Sequence, residues 1–384
     1  MRTDGGSAVP IATDVFWVGK NAVLLRQREE IMCLKHSRGA AEPVPPFTSL
    51  FLDRPADREA TVGTVNTVLG AVEASQLGVT LLSEALMYVL PGAEYAFDIR
   101  IDRAEVFDRL AARLAEFKAA GGGTIVDATG MFQGRDLRLY EALSRATGVH
   151  IVATSGQGPE NMLGGYFLTP QTNPPTPWPA QKFAEMFGRE VNEGMVVPRL
   201  ERRAPAGMIC TAVSLEGMTA TDGSLVRGAA RAGATYGVPV FIRCGSDALA
   251  ELQLAIEESM RPDRVVIAGL DRRDAVAKGW PLAVAQAGAC VGIDHVGSTD
   301  PFYVSDAERV ALVLDLIGAG HADRIVLSSS ATGVAFGEPG NDLPFATVLT
   351  TFVPMLEQAG VSRDLIDQIL ITNPARLLSV GGEA

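Results

Sequence analysis

Cysteine is scarce and scattered. Cys33, Cys210, Cys244 and Cys290 stand far apart and form no CxxC pair. That excludes a disulfide framework and a structural zinc site, and fits a reduced, cytoplasmic chain. Basic residues are in deficit: 33 Lys and Arg face 45 Asp and Glu, a net charge of −12. A nucleic acid or an anionic membrane surface is therefore not an expected partner. Long apolar runs are missing too. Gly, Pro or charge breaks each one well short of the ~18 residues a membrane span needs. The start, Met1 to Pro10, lacks a basic region followed by an apolar one, so no secretory leader is expected. What is present is a 47% hydrophobic content, ample for a sizeable core. A length of 384 residues suits two average domains or one large α/β barrel.

Residues 1–62 stand apart. Asp14–Gly19 and Asn21–Arg26 read as a β-hairpin turning at Gly19-Lys20, with Glu30–Leu34 continuing the second strand. Glu42-Pro43-Val44-Pro45-Pro46 reads as a stiff extended connector. This extension is expected to pack on the rest of the chain, or on a twofold mate in a homodimer; a flap over an active site is the sharper reading. From residue 63 to 384 short apolar strands alternate with helices. Strands are expected at 77–85, 124–129, 149–154, 207–213, 238–244, 264–269, 290–295 and 325–330. Helices are expected at 103–120, 134–147, 222–236, 249–260, 274–287, 306–317, 345–358 and 363–369. Eight such units close as a parallel (β/α)8 TIM barrel. The longest irregular stretch, Ser155 to Pro205, follows strand three at the rim where such loops line active sites.

One segment is specific. Ser305-Asp306-Ala307-Glu308-Arg309, then Gly320-His321-Ala322-Asp323-Arg324-Ile325-Val326-Leu327-Ser328, then Thr372-Asn373-Pro374-Ala375-Arg376 closely resembles the last βα unit of the phosphotriesterase family, within the amidohydrolase superfamily. The resemblance covers about residues 63 to 380 and implies the same barrel. It also implies a site of two divalent ions held by four histidines, a carboxylated lysine and an aspartate. Here those positions read Ser83 and Ala85, Cys210, Arg243, Gly269 and Ser330, with the flanking motifs in register. Ser, Ala and Gly cannot hold zinc, and Cys210 alone is too few. No metal and no other cofactor is expected. Glu84 is read as a buried structural residue.

The mouth is expected to be lined by Ser83, Asp127, Ser155, Cys210, Arg243, Asp271, Arg272, Asp294, His295, Ser328 and Ser330. The resemblance puts His295 in an outer proton relay whose aspartates are replaced by Ser330 and Arg272. His295 is a candidate general base or acid, with Asp294 beside it, or else a hydrogen-bonded rim histidine. Cys210 is a candidate nucleophile if Arg243 lowers its pKa, or else an apolar filler. Arg243 is the expected anchor for an anionic small molecule, with Ser83, Ser328, Ser330, Arg272 and Asp271 as further binding groups and an aspartate partner in the empty site. Two functions compete with a third: a metal-independent enzyme on a small anionic or ester/lactone substrate, an inactive barrel that binds a ligand or partner protein, and a scaffold assembled through the N-terminal hairpin.

Overall fold

The computed structural model describes residues 15–17, 22–27, 30–35, 63–162, 168–169, 176–197 and 201–381. The chain divides into two units, residues 1–59 and 60–384. In the first, β1 (Val15–Trp17), β2 (Ala22–Gln27) and β3 (Glu30–Lys35) form an antiparallel meander. Glu30 pairs with Gln27, so the chain turns back there and does not prolong the second strand. The expected connector at Glu42–Pro46 lies outside the described residues.

The second unit opens with an antiparallel hairpin of β4 (Thr64–Thr67) and β5 (Gly70–Glu73). The barrel strands follow in order around one nine-stranded sheet: β6 (Val79–Val89), β7 (Gly122–Asp127), β8 (His150–Ser155), β13 (Met208–Ala212), β14 (Val240–Arg243), β15 (Val265–Ala268), β16 (Cys290–Ile293), β17 (Ile325–Leu327) and β18 (Thr332–Phe336). Between β8 and β13 lie two short ribbons, β9 (Leu168–Thr169) with β10 (Thr176–Pro177) and β11 (Val196–Val197) with β12 (Glu201–Arg202). All barrel neighbours run parallel. The eighth strand comes in two pieces: β17 pairs with β16 and β18 pairs with β6. This is the (β/α)8 barrel, its last strand broken at Ser328–Ala331.

Two apolar layers hold it. Leu82, Val126, Val152, Met208, Cys210, Phe241, Val266, Cys290 and Val326 fill the barrel interior, with Leu77, Leu377 and Leu378 below. The opposite strand faces meet the helices: α1 (Arg103–Ala119), α2 (Leu137–Thr147), α3 (Ala180–Asn192), α4 (Ala220–Tyr236), α5 (Ala248–Glu257), α6 (Arg273–Ala277), α7 (Trp280–Gln286), α8 (Asp306–Gly318), α9 (Val353–Gln358), α10 (Arg363–Asp367) and α11 (Asn373–Leu378). In α1 the side chain of Asp102 accepts the N–H groups of Ala104 and Glu105, and Val106, Leu110, Leu114 and Phe117 are buried at helical spacing. The single helix expected at 274–287 is two, because Gly279 turns at φ +70° and Pro281 cannot continue α6. The helix expected at 345–358 enters through a π-turn at Val348–Phe352, ahead of Pro354. No helix among the described residues is long and apolar enough to cross a membrane.

Candidate active site at the barrel mouth

The C-terminal ends of the strands surround a cavity of about 670 Å³. Ser83, Arg243, His295, Tyr303, Ser330 and Glu338 are among its walls, with Pro159 and Met162 from the loop after β8. That loop does line the mouth, as its position after β8 implied. Alternation along β14 fixes Arg243: Phe241 points into the barrel and Ile242 outward, so Arg243 points inward at the strand end.

His295 follows β16 and is held on three sides. Its Nδ1 lies 2.9 Å from Asp271 Oδ1, its backbone N–H donates to Asp271 Oδ2 at 3.0 Å, and its ring stacks on Tyr303 at 3.7 Å and 18°. Asp271 also accepts from Nε of Arg309 at 2.8 Å. Burial pushes the Asp271 carboxyl up, but the charges of His295 and Arg309 and the bonds they make outweigh it and hold the pKa below the usual value. An ionised Asp271 makes Nδ1 the protonated nitrogen, and leaves Nε2 as the basic one. The sequence reading took the relay carboxylates as lost; Asp271, one residue before Arg272, supplies one.

Arg309 is 0% exposed. It also donates to Asp306 Oδ1 at 2.6 Å, and its remaining terminal nitrogen has no partner among the described residues. Sequence reasoning missed it, although the signal was there: it occupies the buried stripe of α8 with Val310, Val313 and Leu316. An arginine on an apolar stripe requires a buried carboxylate.

Asp294 is a brace. Its Oδ1 accepts the Gly269 N–H at 2.6 Å, and Oδ2 accepts the hydroxyls of Ser83 at 3.1 Å and Ser330 at 3.5 Å. Arg243 differs from every group above. Its guanidinium is exposed to the cavity and makes no hydrogen bond or ion pair with the described residues. The expected aspartate partner is not there, because Asp271 and Asp294 are already engaged; a guanidinium open to solvent needs none.

Other expected site residues are placed elsewhere. Cys210 belongs to the barrel interior, and burial pushes its thiol up to about 12 against the weaker pull of Thr154 and Arg243. It is the apolar filler, not a nucleophile. Ser328 Oγ accepts the N–H groups of Leu82 and Ser83 at 2.8 and 3.0 Å and closes the strand seam. Arg272 is buried, with its fork on the carbonyls of Cys244 and Gly245 and on Asp274. Asp127 accepts from Leu86, Thr129 and Tyr140 and is fully buried. Ser155 is buried as well. Its hydroxyl has no partner among the described residues, whereas Cys210, Ser328, Arg272 and Asp127 are all engaged within the protein.

The donors at the six family ligand positions do not fit two divalent ions. Ser83, Ala85, Gly269 and Ser330 offer no imidazole or carboxylate, Cys210 is held as a thiol, and Arg243 is cationic. Asp271, Asp294 and His295 bring ligand atoms within 4.8 Å of one another. Their inward atoms are already bonded to one another, to Arg309, to Gly269 and to Ser83.

The family model for phosphotriesterases matches residues 63–378. The chain belongs to the phosphotriesterase family. A phosphotriesterase homology protein of Mycobacterium tuberculosis is 28% identical, over 83% of this chain and 98% of that protein. An N-acetyltaurine hydrolase of Danio rerio is 26% identical, over 83% and 98%. The organophosphorus hydrolase from Deinococcus radiodurans superposes with a TM-score of 0.72 at 25% identity, over 83% of this chain and 98% of that one. The chain thus shares the family's barrel, and its own mouth carries the His295–Asp271 pair.

Proposed function

We propose that this barrel is a metal-independent hydrolase of small anionic esters or lactones. One observation carries the reading: a histidine fixed by a buried, ionised carboxylate opens into the same cavity as an arginine whose guanidinium has no partner among the described residues. Arg243 holds the anionic group of the substrate, or the oxyanion that develops at the carbonyl, by charge-assisted hydrogen bonds. His295 Nε2 takes a proton from water as its oxygen bonds to the carbonyl carbon. The same proton then passes to the leaving alkoxide as the ester C–O bond breaks. Asp271 keeps the imidazole in the required tautomer and stabilises the transient imidazolium, as the carboxylate of a hydrolase triad does. Arg309 keeps Asp271 ionised. The likeness to a hydrolase of N-acetyltaurine, an acyl compound bearing a sulfonate, supports an anionic substrate. The buried, unpaired thiols of Cys210, Cys244 and Cys290 support a reducing, cytoplasmic setting.

The test is a panel of carboxylate-bearing esters and lactones, followed by proton release in the presence of a chelator. Turnover by the native chain should persist with chelator and fall ~10²-fold or more in His295→Gln. If no panel member is turned over faster by the native chain than by His295→Gln, the alternative of a binding barrel without catalysis takes its place.

A further inference from the structure

Beside the main cavity lies a second one of about 230 Å³. The two share Arg243, His295 and Tyr303, which form the junction between them. The walls of the smaller lobe are mostly apolar: Met162, Ala212, Val213, Leu215 and Phe302. Leu215 and Phe302 are 53% and 45% exposed, large apolar side chains left open around a concave site. Gly269 belongs to the same lobe. It sits at φ +72°, and a Cβ there would meet nothing within 4 Å. The space beside its Cα is therefore open to a ligand in the lobe. Arg272, Asn161 and Glu216 also border the lobe; the Arg272 guanidinium is tied to Cys244, Gly245 and Asp274, and the exposed Asn161 and Glu216 form a polar rim.

We infer that the small lobe, with open space beside Gly269, receives an apolar substituent of the substrate. The substrate is then amphipathic: an anionic group and a hydrolysable carbonyl at the junction, and a short alkyl or aryl group against Leu215 and Phe302. This deepens the proposed function and rests on its placement of the anion at Arg243, not on its chemistry.

The experiment is calorimetric titration of the full chain with straight-chain monocarboxylates of increasing length. Affinity should rise ~3–4-fold per added methylene, the effect of burying one CH₂, until the lobe is full. Leu215→Trp, which narrows the lobe from its exposed rim, should make the series level off at a shorter chain and leave the shortest members unchanged. Arg243→Ala should weaken every member by a common factor and keep the increments. A flat series in the native chain, still weakened by Arg243→Ala, overturns the apolar lobe while the anion site stands. Increments that are unchanged in Leu215→Trp overturn it too, because the alkyl chain then lies elsewhere. A series that binds nowhere overturns the lobe and the anion site together.

Discussion

Arg243 and Asp271 show how two charged residues at one rim take opposite parts. The Arg243 guanidinium faces the cavity with no partner among the described residues, so its substitution should cost binding and leave folding alone. Arg243→Ala is expected to lose about 1.5–3 kcal/mol of affinity for an anionic ligand, the range for a hydrogen bond to a charged group. Arg243→Lys should recover part of that, since the planar fork is lost. Calorimetry together with a thermal melt checks both; normal binding with a much lower melting temperature would make the residue structural. Asp271 is the reverse case, engaged on both oxygens inside the protein. Its folded pKa lies below the unfolded value, so the stability it contributes is present above the usual carboxylate range and lost as pH falls through the folded pKa. Asp271→Asn should melt lower at neutral pH and lose that share of its acid sensitivity, and hydrolysis should fall ~10²–10⁴-fold with the tautomer no longer fixed. Melts between neutral and strongly acidic pH check the sign.

At the scale of elements, the seam between the first and eighth strands governs the mouth. β17 stops at Leu327, Ser330 adopts φ +46°, and β18 resumes beside β6. Glu84 bridges the break: its carboxyl oxygens accept the Ser329 N–H at 2.9 Å and the Ala331 N–H at 2.6 Å. The strand register slips between Leu81 and Glu84, so simple alternation does not carry through this point. Burial pushes Glu84 up to about 8, more than the two backbone bonds pull it down. A carboxyl whose folded pKa is raised contributes stability that is present below the unfolded value of 4.5 and lost as pH rises through about 8. Glu251, buried and bonded to the Gly245 N–H, behaves alike up to about 7. Between about 7 and 8 the loss belongs to Glu84 alone of the two. Denaturant melts across that interval should show native stability falling with pH, and Glu84→Gln should flatten it. An identical slope in both chains would mean that Glu84 is already ionised at neutral pH.

For the whole molecule, the barrel was legible because period and chemistry agreed. Inward Leu82, Phe241 and Val266 alternate with outward neighbours, and caps such as Ser305 with Glu308 mark helix starts. The broken eighth strand was not legible, since Ser328–Ala331 reads locally like a strand end, and only the distant Glu84 shows how it is held. In the site, Arg243 and His295 were readable from strand ends. The roles of Asp271 and Arg309 were not, because their pairing joins a loop and a helix 38 residues apart. Cys210 was misleading as a candidate nucleophile: its position is that of a family ligand, but the surrounding apolar layer decides its state. The central claim, that this site works with Arg243 and the His295–Asp271 pair and without metal ions, is tested most directly by elemental analysis. The full chain, produced in medium supplemented with zinc, iron and manganese and then dialysed, is expected to hold far less than one equivalent of any of them. About two equivalents per chain, retained through dialysis in the manner of a two-metal site, would contradict it.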